Sequence, residues 1–204
     1  MKIPIIFKSP PTLENDVIQL VPMENKHSIS LYQINHSNHW HYMLSAIQTQ
    51  QEMDTWVTHA IQLREKGLAL PFTIINKKNN QIVGTTRLYE INSTQRTCEL
   101  GSTWYGKDYQ RTFVNSTCKL LLLTFCFETL NFIRVQFKTD ERNERSQKAI
   151  ERIGAIKEGV IRNERILSNG YIRNAVLYSI TKEEWIDVKQ GFIEREEKYR
   201  LRTL

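Results

Sequence analysis

The chain has 204 residues, of which 40% are hydrophobic and 25% are charged. That balance is typical of a globular domain with a buried core. No apolar run reaches the roughly 18 residues that cross a bilayer, and the start, "MKIPIIFKSPP", lacks the continuous apolar segment and cleavage site of a signal peptide. The net charge of +6 favours an anionic partner, such as a phosphorylated cofactor or a nucleic acid, with a solvated basic surface as the alternative.

The first half of the chain predicts a strand, a helical region and a hairpin. Residues 17–23, "VIQLVPM", alternate and are rich in β-branched side chains, which favours a strand. Residues 24–68 show an amphipathic helical pattern that is interrupted around "NHSNHWHY". Two further strands at 70–76 and 81–91 flank the polar segment 77–80, which predicts a hairpin.

The second half predicts a mixture of strands and helices. Gly101, inside the fourth strand, indicates a bulge or a close backbone approach, and Gly154 marks the end of a helix. The predicted elements are a strand at 96–105, a helix to about 130, a strand at 133–139, a helix at 143–154, strands at 155–166 and 171–180, and a helix from the capping box of Thr181 and Glu184.

This order combines antiparallel hairpins with one strand–helix–strand crossover. It predicts an α+β fold rather than a doubly wound sheet. We expect a single domain over residues 1–189 and a charged C-terminal tail over residues 190–204.

The cysteines and histidines do not predict a metal site. Cys98, Cys118 and Cys126 form no CxxC motif, and their odd number favours free thiols in a reducing, cytoplasmic setting. His36 and His39 have the i, i+3 spacing of helical metal ligands, but no carboxylate partner or HExxH motif accompanies them. We interpret this segment as an aromatic loop.

The segment "YQRTFVNSTCKLLLL", residues 109–123, runs from a polar turn into an apolar helix. A helix start presents unpaired N–H groups and a partial positive charge, so a pyrophosphate can bind there, with help from Arg111 and Thr112. In the alternative interpretation, Thr112 only caps the helix. The residues themselves leave both open.

The helix at 143–154 carries polar groups on its apolar stripe. Asn143, Ser146, Ile150 and Ile153 share one face at helical spacing. Asn143 is also a good N-cap and Ser146 an ordinary first-turn residue, so a structural interpretation stands beside a functional one.

Taken together, several segments resemble the GNAT family of N-acetyltransferases, and more narrowly its branch of ribosomal-protein serine/alanine N-terminal acetyltransferases. The resemblance runs from about residue 13 to 189. It rests on the order and spacing of "TLENDVIQLVPM", "QIVGTTRLYEI", "ELGSTWYGKDYQRTFVN…K", "NERSQKAIERIGAIKEGVIRNERI" and "GYIRNAVLYSITKEEW". It implies a mixed, mostly antiparallel central sheet flanked by helices, and acetyl transfer from acetyl-CoA to a primary amine without a metal.

The resemblance also implies which residues bind acetyl-CoA. In the family, a Q/R-x-x-G-x-G/A loop holds the pyrophosphate through backbone amides; here Phe113 stands where the middle glycine would be. Asn143 matches the asparagine that hydrogen-bonds the cofactor arm, and the end of the fourth strand matches the one that pairs with that arm. The implied cofactor-binding residues are Thr103, Trp104, Tyr105, Gln110, Arg111, Thr112, Phe113, Val114, Asn115, Lys119 and Asn143.

Two residues are candidates for catalysis. Ser146 sits where this branch has a serine near the thioester sulfur, whereas the tyrosine that acts as general acid in many family members is replaced by Ile150. Glu99 is the candidate base, acting through water; the alternative is a solvent-facing strand carboxylate.

Several functions remain open at this stage. The most favoured acceptor is the N-terminal α-amine of a protein or peptide. The alternatives are a polyamine or aminoglycoside acetyltransferase and a CoA-binding regulatory protein with weak turnover. We find no run of aromatic residues interleaved with Lys and Arg, so no nucleic-acid binding is expected, and no membrane partner is expected either. A homodimer remains an open alternative.

Overall fold

The computed structural model describes residues 4–203, with the side chains of residues 4–197. The strands are β1 (Leu13–Glu14), β2 (Ile18–Pro22), β3 (Ala69–Asn76), β4 (Gln81–Asn92), β5 (Thr97–Tyr105), β6 (Arg134–Asp140), β7 (Ile156–Ile166) and β8 (Ile172–Thr181). The α-helices are α1 (Ile5–Lys8), α2 (Ser28–Gln33), α3 (Gln50–Glu65), α4 (Phe113–Thr124), α5 (Glu144–Arg152) and α6 (Trp185–Thr203).

The strands form one mixed sheet in the order β1-β2-β3-β4-β5-β6-β8-β7. The ladders β1–β2, β2–β3, β3–β4, β6–β8 and β7–β8 are antiparallel. Strands β5 and β6 pair in parallel and are joined through α4, which is the predicted crossover. The predicted α+β fold with a mostly antiparallel sheet flanked by helices is therefore confirmed.

The chain forms two compact units. The first comprises residues 4–91 and 100–110, and the second comprises residues 92–99 and 111–203. The prediction of one domain over residues 1–189 with a separate tail stays a prediction; helix α6 extends through part of the proposed tail, to Thr203.

The core of the first unit is built around α3. Thr49 caps this helix, and Glu52 completes the capping box by accepting the N–H of Thr49. The apolar residues that α3 buries recur at helical spacing, so one face of the helix packs inward. The cluster comprises Met23, Leu31, Trp40, Ile47, Met53, Trp56, Val57, Ala60 and Trp104.

The second unit packs α4, α5 and α6 with the strands β6, β8 and β7. Helix α4 buries Val114, Cys118 and Leu122, which are four residues apart and therefore lie on one face. The Phe127 ring stacks on Trp185 at the start of α6, with ring centroids 5.2 Å apart.

Most predicted elements occur within a few residues of their expected bounds. The helix expected to run to about residue 130 ends as an α-helix at Thr124 and continues as a π-helical turn, Phe125–Thr129. The helical region 24–68 contains α2 and α3, separated by an irregular segment with the short 3₁₀ turn Ser37–His39. A capping box of Thr181 and Glu184 was predicted at the start of the last helix. There the N–H of Thr181 donates to the Glu184 carboxylate, and α6 begins at Trp185. Among residues 4–203, no helix is long and apolar enough to cross a membrane.

Candidate active site

The backbone of the turn before α4 leads directly into the first turn of the helix. Arg111 adopts a left-handed conformation with φ of 62°, and Thr112 is extended. The Thr112 hydroxyl accepts the N–H of Val114 at 3.3 Å, so Thr112 does cap the helix. Capping uses one N–H of the first turn, and the positive end of the helix dipole lies at the same place. The cap and the phosphate-binding interpretation are therefore compatible.

Phe113 is the first residue of α4 and is half-buried. Its backbone is helical, a conformation that any residue can adopt, so glycine is not required there. The next residue, Val114, is fully buried and anchors the turn in the second unit. The replacement of the family glycine by Phe113 thus leaves a regular helix start in place.

Lys119 lies inside the second unit. Only 7% of it is exposed, and burial lowers the pKa of its ammonium group to about 8. The Nζ atom is 5.9 Å from the centroid of the Phe137 ring, a cation–π contact. Near neutral pH most molecules therefore still carry the charge on Lys119, next to α4.

Strand β5 changes its conformation in the middle. Its parallel ladder with β6 pairs Thr97–Glu99 with Arg134–Gln136, while β5 itself continues to Tyr105. Ser102 has a φ of 47°, and a Cβ atom on Gly101 would lie 2.4 Å from the Tyr89 hydroxyl. The group that approaches Gly101 closely is therefore the Tyr89 side chain rather than another stretch of backbone.

The predicted cofactor-binding residues at the end of β5 lie in the first unit. The Thr103 hydroxyl is 2.8 Å from that of Thr86. Trp104 is buried in the aromatic core, with its ring 4.9 Å from that of His39. Gln110 donates from Nε2 to the Tyr105 carbonyl at 3.1 Å. The Trp104 side chain thus packs into the core, and the predicted pairing of its backbone with the cofactor stays a prediction.

Glu99 is buried rather than solvent-facing. It is 2% exposed, and its Oε2 atom accepts from Gln136 at 3.0 Å and from Lys138 at 2.8 Å. The alternative interpretation as a surface carboxylate is wrong. Lys138 was not anticipated, although its signal is in the sequence: Gln136 and Lys138 alternate along β6 and so share one face of the strand.

Asn143 and Ser146 meet directly at the start of α5. The Asn143 Oδ1 atom accepts the backbone N–H of Ser146 at 3.1 Å, which makes Asn143 the N-cap. The preceding turn is held by Arg142, which bonds to both oxygens of Asp140. Burial acts to raise the pKa of Asp140, but the hydrogen bonds from Arg142 outweigh it and lower that pKa overall. The Asp140 carboxylate is therefore ionised at neutral pH and pairs with Arg142.

The apolar stripe of α5 and the pair His36 and His39 were the other features predicted from the sequence. Ile150 and Ile153 are buried, as expected for a stripe that faces the core. The rings of His36 and His39 are 6.2 Å apart, and their Nδ1 atoms accept backbone N–H groups. Within residues 4–203, no cluster of three or more metal-ligating side chains occurs.

Comparison with known proteins identifies the family. Residues 18–156 match the model of the acetyltransferase (GNAT) domain. The chain therefore belongs to the GNAT family of acetyltransferases, whose acetyl donor is acetyl-CoA. This confirms the predicted family.

Three relatives illustrate the similarity. The chain is 31% identical over 108 residues to the "Putative ribosomal N-acetyltransferase YdaF" of Bacillus subtilis (strain 168), a match that covers 52% of this chain and only 57% of that relative. The crystal structure of a "putative acetyltransferase" from T. thermophilus is 31% identical, with a TM-score of 0.83 over 91% of this chain and 97% of the other. A GCN5-related N-acetyltransferase from Brucella melitensis, 22% identical, shares the fold, with a TM-score of 0.85 over 95% and 86% of the two chains.

Proposed function

We propose that this protein transfers the acetyl group of acetyl-CoA to a primary amine, the N-terminal α-amine of a protein or peptide. The observation that carries the proposal is the start of α4, where the left-handed Arg111 and the cap Thr112 lead into a helix in a chain of the GNAT family.

The residues at these positions fit the groups of acetyl-CoA. We assign the pyrophosphate to the backbone of residues 110–115, since a helix start binds anions and Arg111 adds charge. Lys119, buried in α4 and cationic, adds to the potential at the same helix. For the amide-rich arm, the family resemblance names the backbone of residues 103–105 in the first unit and, separately, Asn143 in the second unit. The Nδ2 group of Asn143 is a donor on the same side chain whose Oδ1 caps α5.

The low pKa of an α-amine and the name of a relative both favour an N-terminal acceptor. An α-amine, with a pKa of about 8, is neutral far more often at pH 7 than a lysine amine with a pKa of about 10.4. It therefore needs less help from a base. The Bacillus subtilis relative carries the name "Putative ribosomal N-acetyltransferase YdaF", which supports a ribosomal acceptor, and we propose its N-terminal amine.

We propose that the neutral amine attacks the thioester carbonyl directly. A C–N bond forms, the C–S bond breaks, and the amine proton passes through water to Glu99. Gln136 and Lys138 both bind Oε2 of Glu99, and we assign the water to Oε1. A backbone N–H near the irregular Ser102 would stabilise the oxyanion. The Ser146 hydroxyl would donate a hydrogen bond to the leaving sulfur.

Of two alternative functions, one is favoured by an observation and the other is disfavoured. A CoA-binding regulatory protein is favoured by Phe113 and by Ile150 in place of the tyrosine. A polyamine or aminoglycoside acetyltransferase is disfavoured by the net charge of +6, because polycations need acidic sites. The three described cysteines are free thiols, which supports a cytoplasmic location.

Calorimetry with acetyl-CoA and turnover assays against peptides, polyamines and aminoglycosides test the proposal. We expect a complex in the micromolar range or tighter and turnover with peptides. Asn143→Asp keeps an N-cap but replaces the amide donor, so it should weaken acetyl-CoA binding without loss of stability. Binding without turnover of any acceptor would favour the regulatory function, and absence of binding by the wild type would contradict both.

A further inference from the structure

Arg87 is a buried cation in the first unit. It lies on β4, is 7% exposed, and its guanidinium carbon is 4.0 Å from the centroid of the Trp56 ring. Burial lowers its pKa to about 10, with a small opposing effect of the nearby Tyr89. The group therefore remains protonated at pH 7, and no described carboxylate pairs with it.

Several donors in this region have no acceptor. The Nε and Nη2 atoms of Arg87 and the indole Nε1 of Trp104 are buried, and no described residue accepts a hydrogen bond from them. Trp104 is itself 4% exposed, and its ring centroid is 6.2 Å from that of Trp56. Arg87 and Trp104 thus both lie against Trp56, and together they present three unsatisfied N–H donors.

This arrangement is unfavourable in the protein by itself. Buried polar groups are almost always hydrogen-bonded, and a buried charge is almost always paired. The contact with Trp56 partly compensates the charge of Arg87, but a cation–π contact satisfies none of the N–H groups in the guanidinium plane. A ligand that brings acceptor oxygens would remove the penalty.

The chemistry of the donors selects the ligand. The planar fork of a guanidinium group matches a carboxylate through two parallel hydrogen bonds, and an indole N–H can donate a third. A polycationic acceptor would instead be repelled. Trp104 also stands between Thr103 and Tyr105, whose backbone the family resemblance assigns to the acetyl-CoA arm, so the donors adjoin residues of the proposed site.

We infer that Arg87 and Trp104 bind a carboxylate of the amine acceptor, so that preferred acceptors are peptides with an acidic residue next to the N-terminal amine. This inference rests on the proposed function. The irregular segment that carries His39 and Trp40 packs against the Trp104 ring, and displacement of that segment would admit the ligand.

Two peptides that differ only at the second residue test the inference, Ser-Asp and Ser-Asn at the N-terminus. For the wild type we expect kcat/KM to be about 10- to 100-fold higher with Asp, as charge-assisted hydrogen bonds to a buried site imply. In Arg87→Met this ratio should fall to about one. Arg96→Met removes the same charge from an exposed turn and should keep the wild-type ratio.

Two further measurements distinguish carboxylate binding from effects on folding and on turnover. The melting temperature of Arg87→Met should equal or exceed that of the wild type, since an unpaired buried charge is removed. If that variant does not fold, Arg87→Lys should still lower the ratio several-fold, because lysine lacks the fork. Tryptophan fluorescence, titrated with each peptide in the absence of acetyl-CoA, should show tighter binding of the Asp peptide to the wild type only.

The outcomes are distinct. Equal kcat/KM for the two peptides with the wild type, or a wild-type ratio in Arg87→Met or Arg87→Lys, overturns the inference. Absence of turnover with either peptide counts against the proposed function, and the fluorescence titration then decides the carboxylate site alone: equal binding of the two peptides overturns it.

Discussion

Phe113 stands where the family's phosphate-binding loop has its middle glycine. Its backbone is already helical and its side chain is half-buried. A full large-to-small change of a core phenylalanine costs about 3–5 kcal/mol. Because Phe113 is only half-buried, we expect Phe113→Gly to lower the free energy of unfolding by about 2 kcal/mol. This figure includes the entropic cost of fixing a flexible glycine at the helix start.

Acetyl-CoA affinity should be preserved or improved in Phe113→Gly, because we assign the phosphate to backbone amides and the substitution removes a bulky side chain next to them. Denaturant titration and calorimetry measure the two effects separately. A fall in affinity of the folded variant would show that the Phe113 side chain itself contacts the cofactor.

Ser146 has a backbone role that is separate from its hydroxyl. Asn143 accepts the Ser146 N–H, not the hydroxyl, so Ser146→Ala keeps the cap of α5. General acid assistance is worth about 10²–10⁴-fold, and a hydroxyl that only donates a hydrogen bond should give the lower end or less. We expect kcat to fall about 10- to 100-fold, with acetyl-CoA affinity within a few-fold and the fold intact.

Steady-state kinetics with a competent peptide measures the effect of Ser146→Ala. Ile150→Tyr added to this variant should not rescue kcat, since Ile150 is buried in the stripe of α5. A wild-type kcat in Ser146→Ala would remove the serine from the mechanism.

At the level of elements, Glu99 and Lys138 connect β5 to β6 through a buried ion pair. Breaking such a pair from one side leaves an uncompensated charge and costs about 3–5 kcal/mol. Glu99→Gln should therefore lower stability. If Glu99 is also the base, kcat should fall by about 10²-fold or more.

The double variant Glu99→Gln/Lys138→Met separates these two roles. Removing the second charge should restore most of the stability, because no unpaired ammonium group remains between the strands. We expect kcat to stay low in the double variant. Recovery of kcat together with stability would reduce Glu99 to a structural residue.

For the molecule as a whole, His27 should make stability depend on pH. Burial is the main cause that lowers its pKa, and Lys26 adds to it, while Glu24 opposes it. The Nδ1 atom accepts the N–H of Glu24 at 3.2 Å and lies 2.9 Å from the Thr73 hydroxyl, so the neutral ring fits the site. The unfolded chain, with a histidine pKa of about 6.5, takes up a proton first as the pH falls.

The contribution of His27 should therefore be fully present above about pH 6.5 and should be lost as the pH falls through the lowered pKa of the folded protein. Unfolding free energies from denaturant titration at several pH values between about 5 and 7.5 measure it. His27→Gln should flatten the acid side of this profile, whereas His59→Gln, a change at an exposed position on α3, should leave it unchanged. An identical acid slope in all three proteins would contradict the assignment.

Local patterns in the sequence were sufficient to predict most elements, their order and the family. Helical and alternating apolar patterns, Gly154 and the capping residues are local signals, since they depend on neighbours a few residues away. For the same reason Asn143 and Thr112 were recognised as helix-capping candidates before the fold was known. The residues of "YQRTFVN" left phosphate binding and helix capping open, and it was the order and spacing of five segments that indicated an acetyl-CoA enzyme.

The surroundings of each side chain could be read only from the folded chain. Glu99 was as consistent with a surface carboxylate as with a base until β6 placed Gln136 and Lys138 beside it. Arg87 looked like one of many basic residues until Trp56 and the core enclosed it without an acceptor. Burial and charge pairing depend on residues that lie far apart in the chain. Because of this, no local sequence pattern indicates them.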